Sequence, residues 1–373
     1  MVPGSVTGVT EDPGQDGVIS SQRWEAATLL GHDVAPGDRR RLILRASESF
    51  AGASVEIPVL VIRGLTPGPT LCLTAGIHGD ELNGVEIVRH VFEHQKPKEL
   101  SGMLVGIPVV NLHGFRRSSR YLPDRRDLNR YFPGHPAGSS ASRIANNVFE
   151  NVVRSCDSLV DLHTGSFHRS NLPQLRANLD DPRLRDMALS FGTGVVVHSR
   201  GAVGTLRRAA TDSGIAAVTY EAGEPMRFHG EEIERGVEGL NFLLASLDMT
   251  NGKKPNGDAE QRLFFRSRWV RVNDGGIFIT NRELGDAVEV GDQLGTVTDP
   301  ISNERTKIIA PTSGRIIGMA FSQVVIPGFA AFHIGIEGGR LPDVAAQRET
   351  PEVEHRPAPV AADLLELDEH LDE

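Results

Sequence analysis

Three apolar runs in this chain each end in an ionisable residue beside a glycine, and that recurrence constrains the fold more than any other feature. The first, Leu71-Cys72-Leu73-Thr74-Ala75, leads into Gly76-Ile77-His78-Gly79-Asp80-Glu81. The second, Leu159-Val160-Asp161-Leu162, leads into His163-Thr164-Gly165, and the third, Ala216-Ala217-Val218-Thr219-Tyr220, into Glu221-Ala222-Gly223. Short apolar runs bounded by glycine read as buried strands. Val85 to Phe92, after the first turn, has helical periodicity, which predicts Glu81 in the first turn of that helix. In open α/β sheets, ligands bind beyond the carboxyl ends of the strands. A chain that brings three such ends to one edge is building a site there.

The residue types suggest the chemistry. An imidazole and a carboxylate three residues apart, His78 and Glu81, can face one point as two ligands of a zinc ion would. His163 is the candidate third ligand. Two histidines, one glutamate and an open fourth position make a catalytic zinc site, one ion per chain. Glu221 is the candidate general base. Between the ligand segments lies Arg120-Tyr121-Leu122-Pro123-Asp124-Arg125-Arg126-Asp127-Leu128-Asn129-Arg130. Its arginines suggest a loop-borne clamp for an anion, since the guanidinium fork matches a carboxylate.

His-x-x-Glu, Asp-Leu-Asn-Arg, Asp-Leu-His and a strand-terminal Glu, in that order, resemble the succinylglutamate desuccinylase/aspartoacylase family of zinc carboxypeptidase-like hydrolases. The resemblance covers roughly residues 40–340. It implies zinc on His78, Glu81 and His163, with Glu221 as the base. It also implies Asn129 and Arg130 on a substrate carboxylate and Arg120 polarising the scissile carbonyl. The interval from Arg120 to Asn129 is slightly longer than in aspartoacylase, and Arg126 lies between as a competitor.

Alternation of strand-like and helix-like segments over residues 41–247 predicts an α/β layer structure with a mixed, largely parallel sheet flanked by helices. The strands expected are Val59 to Ile62, Leu71 to Ala75, Met103 to Val110, Leu159 to Leu162, Val195 to Val197 and Ala217 to Tyr220. Residues 1–40 read as a polar lead and 248–260 as a linker rich in Gly, Asn, Lys and Pro. Residues 261–340, short β runs split by glycine turns, predict a small all-β, sandwich-like domain capping the site. Gly285 to Gly295 and Ala310 to Ile317 resemble a lipoyl/biotinyl-type sandwich. Thr298-Asp299-Pro300, however, stands near the point where a modifiable lysine would be, which disfavours a carrier role. Residues 341–373 form an acidic tail in which Ala361 to Leu367 could make one short helix.

Composition bounds the partners. With 373 residues, 39% hydrophobic and 24% charged, the chain is globular and long enough for two domains. A net charge of −10 argues against a general nucleic-acid surface. No apolar run approaches a membrane span, and Met1 to Gln22 lacks a signal-peptide core. The two cysteines, Cys72 and Cys156, read as buried thiols in a reducing compartment, which predicts a cytoplasmic protein. No Walker or dinucleotide fingerprint is present.

Each residue singled out also has a plainer role: a strand-end histidine satisfied in the core, Glu221 or Arg130 in an ordinary ion pair, Asn129 bridging a loop. The ordered set outweighs these. The other histidines have no comparable partner spacing, although His168, five residues beyond His163, is a candidate lining residue. The expected activity is a zinc-dependent deacylase acting on an N-acyl amino acid or related small carboxylate-bearing amide. A metallocarboxypeptidase acting on a peptide or modified protein terminus would share every catalytic residue. A bare zinc-binding module would need neither base nor anion clamp. The expected partner is a small acidic substrate, with self-association left open.

Overall fold

The computed structural model describes residues 27–48, 54–255 and 261–337. The expected helix at Ala361 to Leu367 and the segment Met1 to Gln22 lie outside them. Strands β1 (Ala27–Leu29) and β2 (His32–Val34) form a small hairpin. The large sheet then takes β3 (Arg39–Glu48), β4 (Ser54–Arg63), β5 (Thr66–Ala75), β6 (Ser101–Ile107), β7 (Ser158–His163), β8 (Arg169–Ala177), β9 (Val195–His198) and β10 (Ala216–Gly223). The main helices are α1 (Asn83–His94), α2 (Leu112–Arg116), α3 (Ser140–Asn151), α4 (Pro182–Ser190), α5 (Leu206–Asp212) and α6 (Gly230–Ser246).

The centre of the sheet runs β10-β7-β5-β6, all parallel, with antiparallel β4 and β3 beyond β6 and antiparallel β8 beyond β10. This is a mixed sheet whose parallel core is buried on both faces, as crossover helices require. Every residue of β7 is buried. Successive strand residues feed opposite cores, as the period of two dictates. Cys72, Leu159 and Ala217 join a layer with α3 and α5, whereas Leu71, Leu73, Val160 and Val218 join a layer with α1, α4 and α6.

Two sequence expectations change. Cys72 and Cys156 are not free thiols: they are joined in a disulfide, with Cα atoms 5.9 Å apart. Cys156 lies two residues before β7, which pairs with β5, and both cysteines lie in the same core layer. The thiol argument for a reducing compartment therefore falls, because disulfides belong mainly to oxidising ones. Strands β3 and β8 were not anticipated. β3 is rich in arginine on its outer positions, and β8 is interrupted by Pro173. No helix among the described residues is long and apolar enough to cross a membrane.

Among the described residues after 261 all regular elements are strands: β11 (Arg262–Phe264), β12 (Arg266–Arg271), β13 (Gly276–Ile279), β14 (Ala287–Val288), β15 (Gln293–Thr298), β16 (Arg305–Ile309), β17 (Gly314–Ala320), β18 (Gln323–Val325) and β19 (Ala330–Ile336). β16-β15-β13-β18 form a separate antiparallel sheet. β12, β19 and β17 instead continue the large sheet, through pairing of β17 with β8. A core of its own, including Val270, Phe278, Leu294, Ile316 and Phe332, fills this part of the chain.

Candidate active site

Backbone geometry at the end of β5 turns His78 and Glu81 inward. Gly76 adopts φ +60°, a left-handed conformation open to glycine. A Cβ at Gly79 would stand 2.0 Å from the Gly114 carbonyl carbon, so only glycine lets this turn lie against α2. The Gly79 N–H donates to Ser119 O, and the Glu81 N–H to His78 O. Glu81 therefore precedes α1, which begins at Asn83, rather than standing in its first turn. Asn83 ties the helix start to the third strand, donating to Ala222 O at 3.1 Å.

One ligand atom each from His78, Glu81 and His163 lies within 4.8 Å of the others, and all three residues are buried. His78 Nδ1 is 2.8 Å from Glu81 Oε1, and His163 Nδ1 is 2.8 Å from Glu81 Oε2. The opposite ring nitrogens meet two further carboxylates. His78 Nε2 is 3.1 Å from Asp127 Oδ1, and His163 Nε2 is 2.8 Å from Asp161 Oδ2. Thr74 Oγ1 donates to the other oxygen of Asp161, and Arg120 Nη2 to the other oxygen of Asp127.

Charge controls this cluster. Burial and Arg120 act to lower the His78 pKa, but Glu81 and Asp127 outweigh them, and the ring is held above its ordinary value. Burial opposes protonation of His163 too, yet Asp161 and Glu81 raise it well above that value. Burial would raise Glu81 and Asp127. For Glu81 the two imidazoles reverse the effect, and for Asp127 His78 and Arg120 do, so both carboxyls fall far below their usual range. Each ring nitrogen of His78 and His163 faces a carboxylate oxygen, so a proton on any of them has an acceptor. A divalent cation between the two Nδ1 atoms and Glu81 would replace the Nδ1 protons and leave each Nε2–H on its aspartate. That arrangement, a metal-ligating imidazole held by a carboxylate at its other nitrogen, is the usual one in metal sites. The donor set fits zinc.

Around the cluster is a cavity lined by His78, Glu81, Arg120, Asn129, His163, Arg169, Asn171, Arg176, Arg207, Glu221 and Trp269, among others. Glu221 reaches it from β10. Its Oε2 accepts a 2.9 Å hydrogen bond from Asn171 Nδ2, and its Oε1 is 3.6 Å from Arg176 Nη1. Arg120 is partly buried, with Nη1 at 3.2 Å from both His78 Nδ1 and Glu81 Oε1. Asn129 Oδ1 accepts from the Leu206 N–H at the start of α5, which pins the arginine loop to that helix.

The remaining expected residues lie further out. Arg126 is half exposed and pairs with Asp124 at 3.2 Å, so Arg120 rather than Arg126 borders the cavity. Arg130 is not among the lining residues; its Nη1 donates to Asn129 O, and its charge helps to depress Asp127. His168 does not line the cavity either. It turns the chain with φ +59°, and its carbonyl accepts from the Phe321 N–H.

Sequence reasoning missed several residues. Asp161 had a findable signal, since two residues apart on a strand means the same face as His163. Asp127 reaches His78 through a loop, and no local spacing reports that. Arg169, Arg176 and Asn171 all come from the unanticipated β8, and Trp269 from beyond residue 261. The Arg169 guanidinium lies 5.0 Å from the Trp269 ring centroid and 5.8 Å from that of Phe167. Burial and three neighbouring arginines lower its pKa to about 10.

Residues 67–247 match the succinylglutamate desuccinylase/aspartoacylase catalytic domain, a stretch that runs from before His78 to beyond Glu221. The N-alpha-acetyl-L-2,4-diaminobutyric acid deacetylase of Halomonas elongata is 27% identical over 267 residues, 68% of this chain and 77% of that one. A crystal structure of a succinylglutamate desuccinylase from a Silicibacter species superposes with a TM-score of 0.72 at 26% identity, covering 80% of this chain and 94% of that one. The product-bound ectoine utilization protein EutE of Ruegeria pomeroyi gives 0.73 at 24% identity, with 80% and 95% covered. Over residues 67–247 the chain is thus similar to the catalytic domain of the succinylglutamate desuccinylase/aspartoacylase family, as its motifs led one to expect.

Proposed function

We propose that this protein is a zinc-dependent deacylase that hydrolyses the amide bond of an N-acyl amino acid or a related small, carboxylate-bearing amide. One observation carries the reading: His78 Nδ1, Glu81 and His163 Nδ1 converge, while Asp127 and Asp161 hold the opposite nitrogens of both rings. Zinc bound there supplies Lewis-acid polarisation of a carbonyl and a more acidic water.

The chain's own residues do the rest. Glu221 takes a proton from the attacking water as its oxygen bonds to the acyl carbon. It then gives that proton to the amide nitrogen as the carbon–nitrogen bond breaks. Arg120, already at the cavity wall, stabilises the negative charge that develops on the carbonyl oxygen. Asn129, with Arg130 behind it, orients the substrate through its carboxylate, and Arg207 adds a cation on the same wall. The strands beyond residue 261 close one side of the cavity with Trp269.

A substrate screen tests the reading: N-acetyl, N-succinyl and other N-acyl amino acids against short peptides, using zinc-loaded protein. Release of free amino acid from an N-acyl amino acid, with peptides left intact, is the expected result. Turnover of peptides alone would replace the deacylase with a carboxypeptidase.

A further inference from the structure

Glu221 receives its side-chain contacts from one neighbouring strand. β8 runs antiparallel to β10, and Asn171 and Arg176 of β8 hold the two carboxylate oxygens, at 2.9 Å and 3.6 Å. Five residues apart on a regular strand, these two side chains would face opposite sides of the sheet. The pairing shows why they do not. Glu221 lies opposite Gln174, yet Gly223 lies opposite Asn171, so three steps along β8 span two along β10. The slip falls at Leu172-Pro173, where proline cannot donate to the ladder. It turns Asn171 to the side of Arg176, the side on which Glu221 enters the cavity.

Asn171 is itself fixed by the strands beyond residue 261. Its register partner on its other flank is Gly318 of β17. Glycine thus stands opposite Asn171 on both neighbours, Gly223 and Gly318, and leaves the amide room to lean along the sheet. A methyl built on Gly318 would stand 2.7 Å from Asn171 Oδ1 and 3.3 Å from the His333 Cβ. Asn171 is 4% exposed, so its amide has little other room.

We infer that Asn171 is the positioning residue of Glu221, and that β17 sets its orientation, so the C-terminal strands take part in catalysis through the carboxylate of the base. This rests on the reading of Glu221 as general base. The Asn171 Nδ2–H donates to Glu221 Oε2 and holds the carboxylate's plane, with Oε1 on the side of Arg176.

The test is a double-mutant cycle on the zinc-loaded protein with the best N-acyl amino acid from the screen. Asn171→Leu keeps about the same volume and removes the donor. Its kcat should fall about ten- to a hundredfold, the scale of one hydrogen bond to a charged group, with KM within about threefold and zinc content unchanged. In a Glu221→Gln background the same change should alter kcat by less than about twofold, because its target is gone. Gly318→Ala, which touches no reacting group, should lower kcat in the same way and also lose its effect beside Gln. It carries the test if Asn171→Leu does not fold. An unchanged kcat, a loss confined to KM, or an equal loss in both backgrounds overturns the proposal. If Glu221→Gln alone keeps both zinc and full kcat, the general-base reading has failed first, a separate and recognisable outcome.

Discussion

Glu221 and His163 are register partners on adjacent parallel strands, β10 and β7. The proposed base and a proposed metal ligand are therefore spaced by sheet hydrogen bonds rather than by a loop. A slip of one residue in that pairing would turn Glu221 to the other face of the sheet. Its neighbours Tyr220 and Ala222 already lie in the core layer with α1, α4 and α6. Because the strand fixes where the carboxylate is delivered, its chemistry can be removed without moving the backbone.

Glu221→Gln should accordingly keep its metal and lose turnover by at least about 10²-fold, the lower end of general acid–base contributions. Elemental analysis and kcat on the same preparation check this. Loss of metal with no separate catalytic defect would make Glu221 a ligand instead.

Asp161→Asn and Asp127→Asn leave all three ligands in place but weaken the grip on His163 and His78. Each should lower zinc affinity by about 10- to 100-fold, the usual effect of removing an outer carboxylate. Competition with a chromogenic chelator measures it. Wild-type affinity in both variants would mean the aspartates only fill space.

The arginines separate two accounts of the substrate carboxylate. Arg130→Ala removes a positive charge behind the cavity wall and should raise KM for a free-carboxylate substrate more than for an amidated one, because that charge acts only where the anion exists. Arg207→Ala, at the cavity wall, should do the same if the carboxylate reaches that far. Equal losses on free and blocked substrates would make Arg130 a brace for the loop that carries Asp127.

His333 supplies a pH test remote from the metal ligands. Buried and stacked on Trp269 at 4.4 Å, it is held well below its ordinary pKa by burial and then by Arg176 and Arg169. A base with a depressed folded-state pKa favours the neutral form. Its contribution to stability is complete above about pH 6.5, the value in the unfolded chain, and is lost as pH falls toward the folded value. The melting temperature should drop between pH 7 and pH 5, and His333→Gln, which cannot charge, should flatten that drop. An unchanged slope would show that His333 is not the group responsible.

Much of this was legible in the sequence because the site lies at strand ends, where apolar runs stop at His78, His163 and Glu221. Parallel strands buried on both faces leave a strong signal, and glycine marks each turn. The aspartates were harder. Asp161 could be read from alternation, but Asp127 meets His78 only through a fold-level contact. The strand β8 was hidden by its polar residues and Pro173, and with it went Asn171, Arg169 and Arg176. Trp269 belongs to a strand that joins the large sheet through β17, a pairing between residues more than a hundred apart in sequence that no local pattern announces. The cysteines misled for the same reason: whether two thiols meet depends on which strands are neighbours.

The central claim is a single catalytic zinc on His78, Glu81 and His163. Stripping the protein with a chelator and titrating zinc back, while following hydrolysis of an N-acyl amino acid, tests it most directly. The account predicts activity that rises in proportion to bound zinc and saturates at one ion per chain, with His163→Ala binding none tightly and staying inactive. Full hydrolytic activity in the metal-free protein would contradict it.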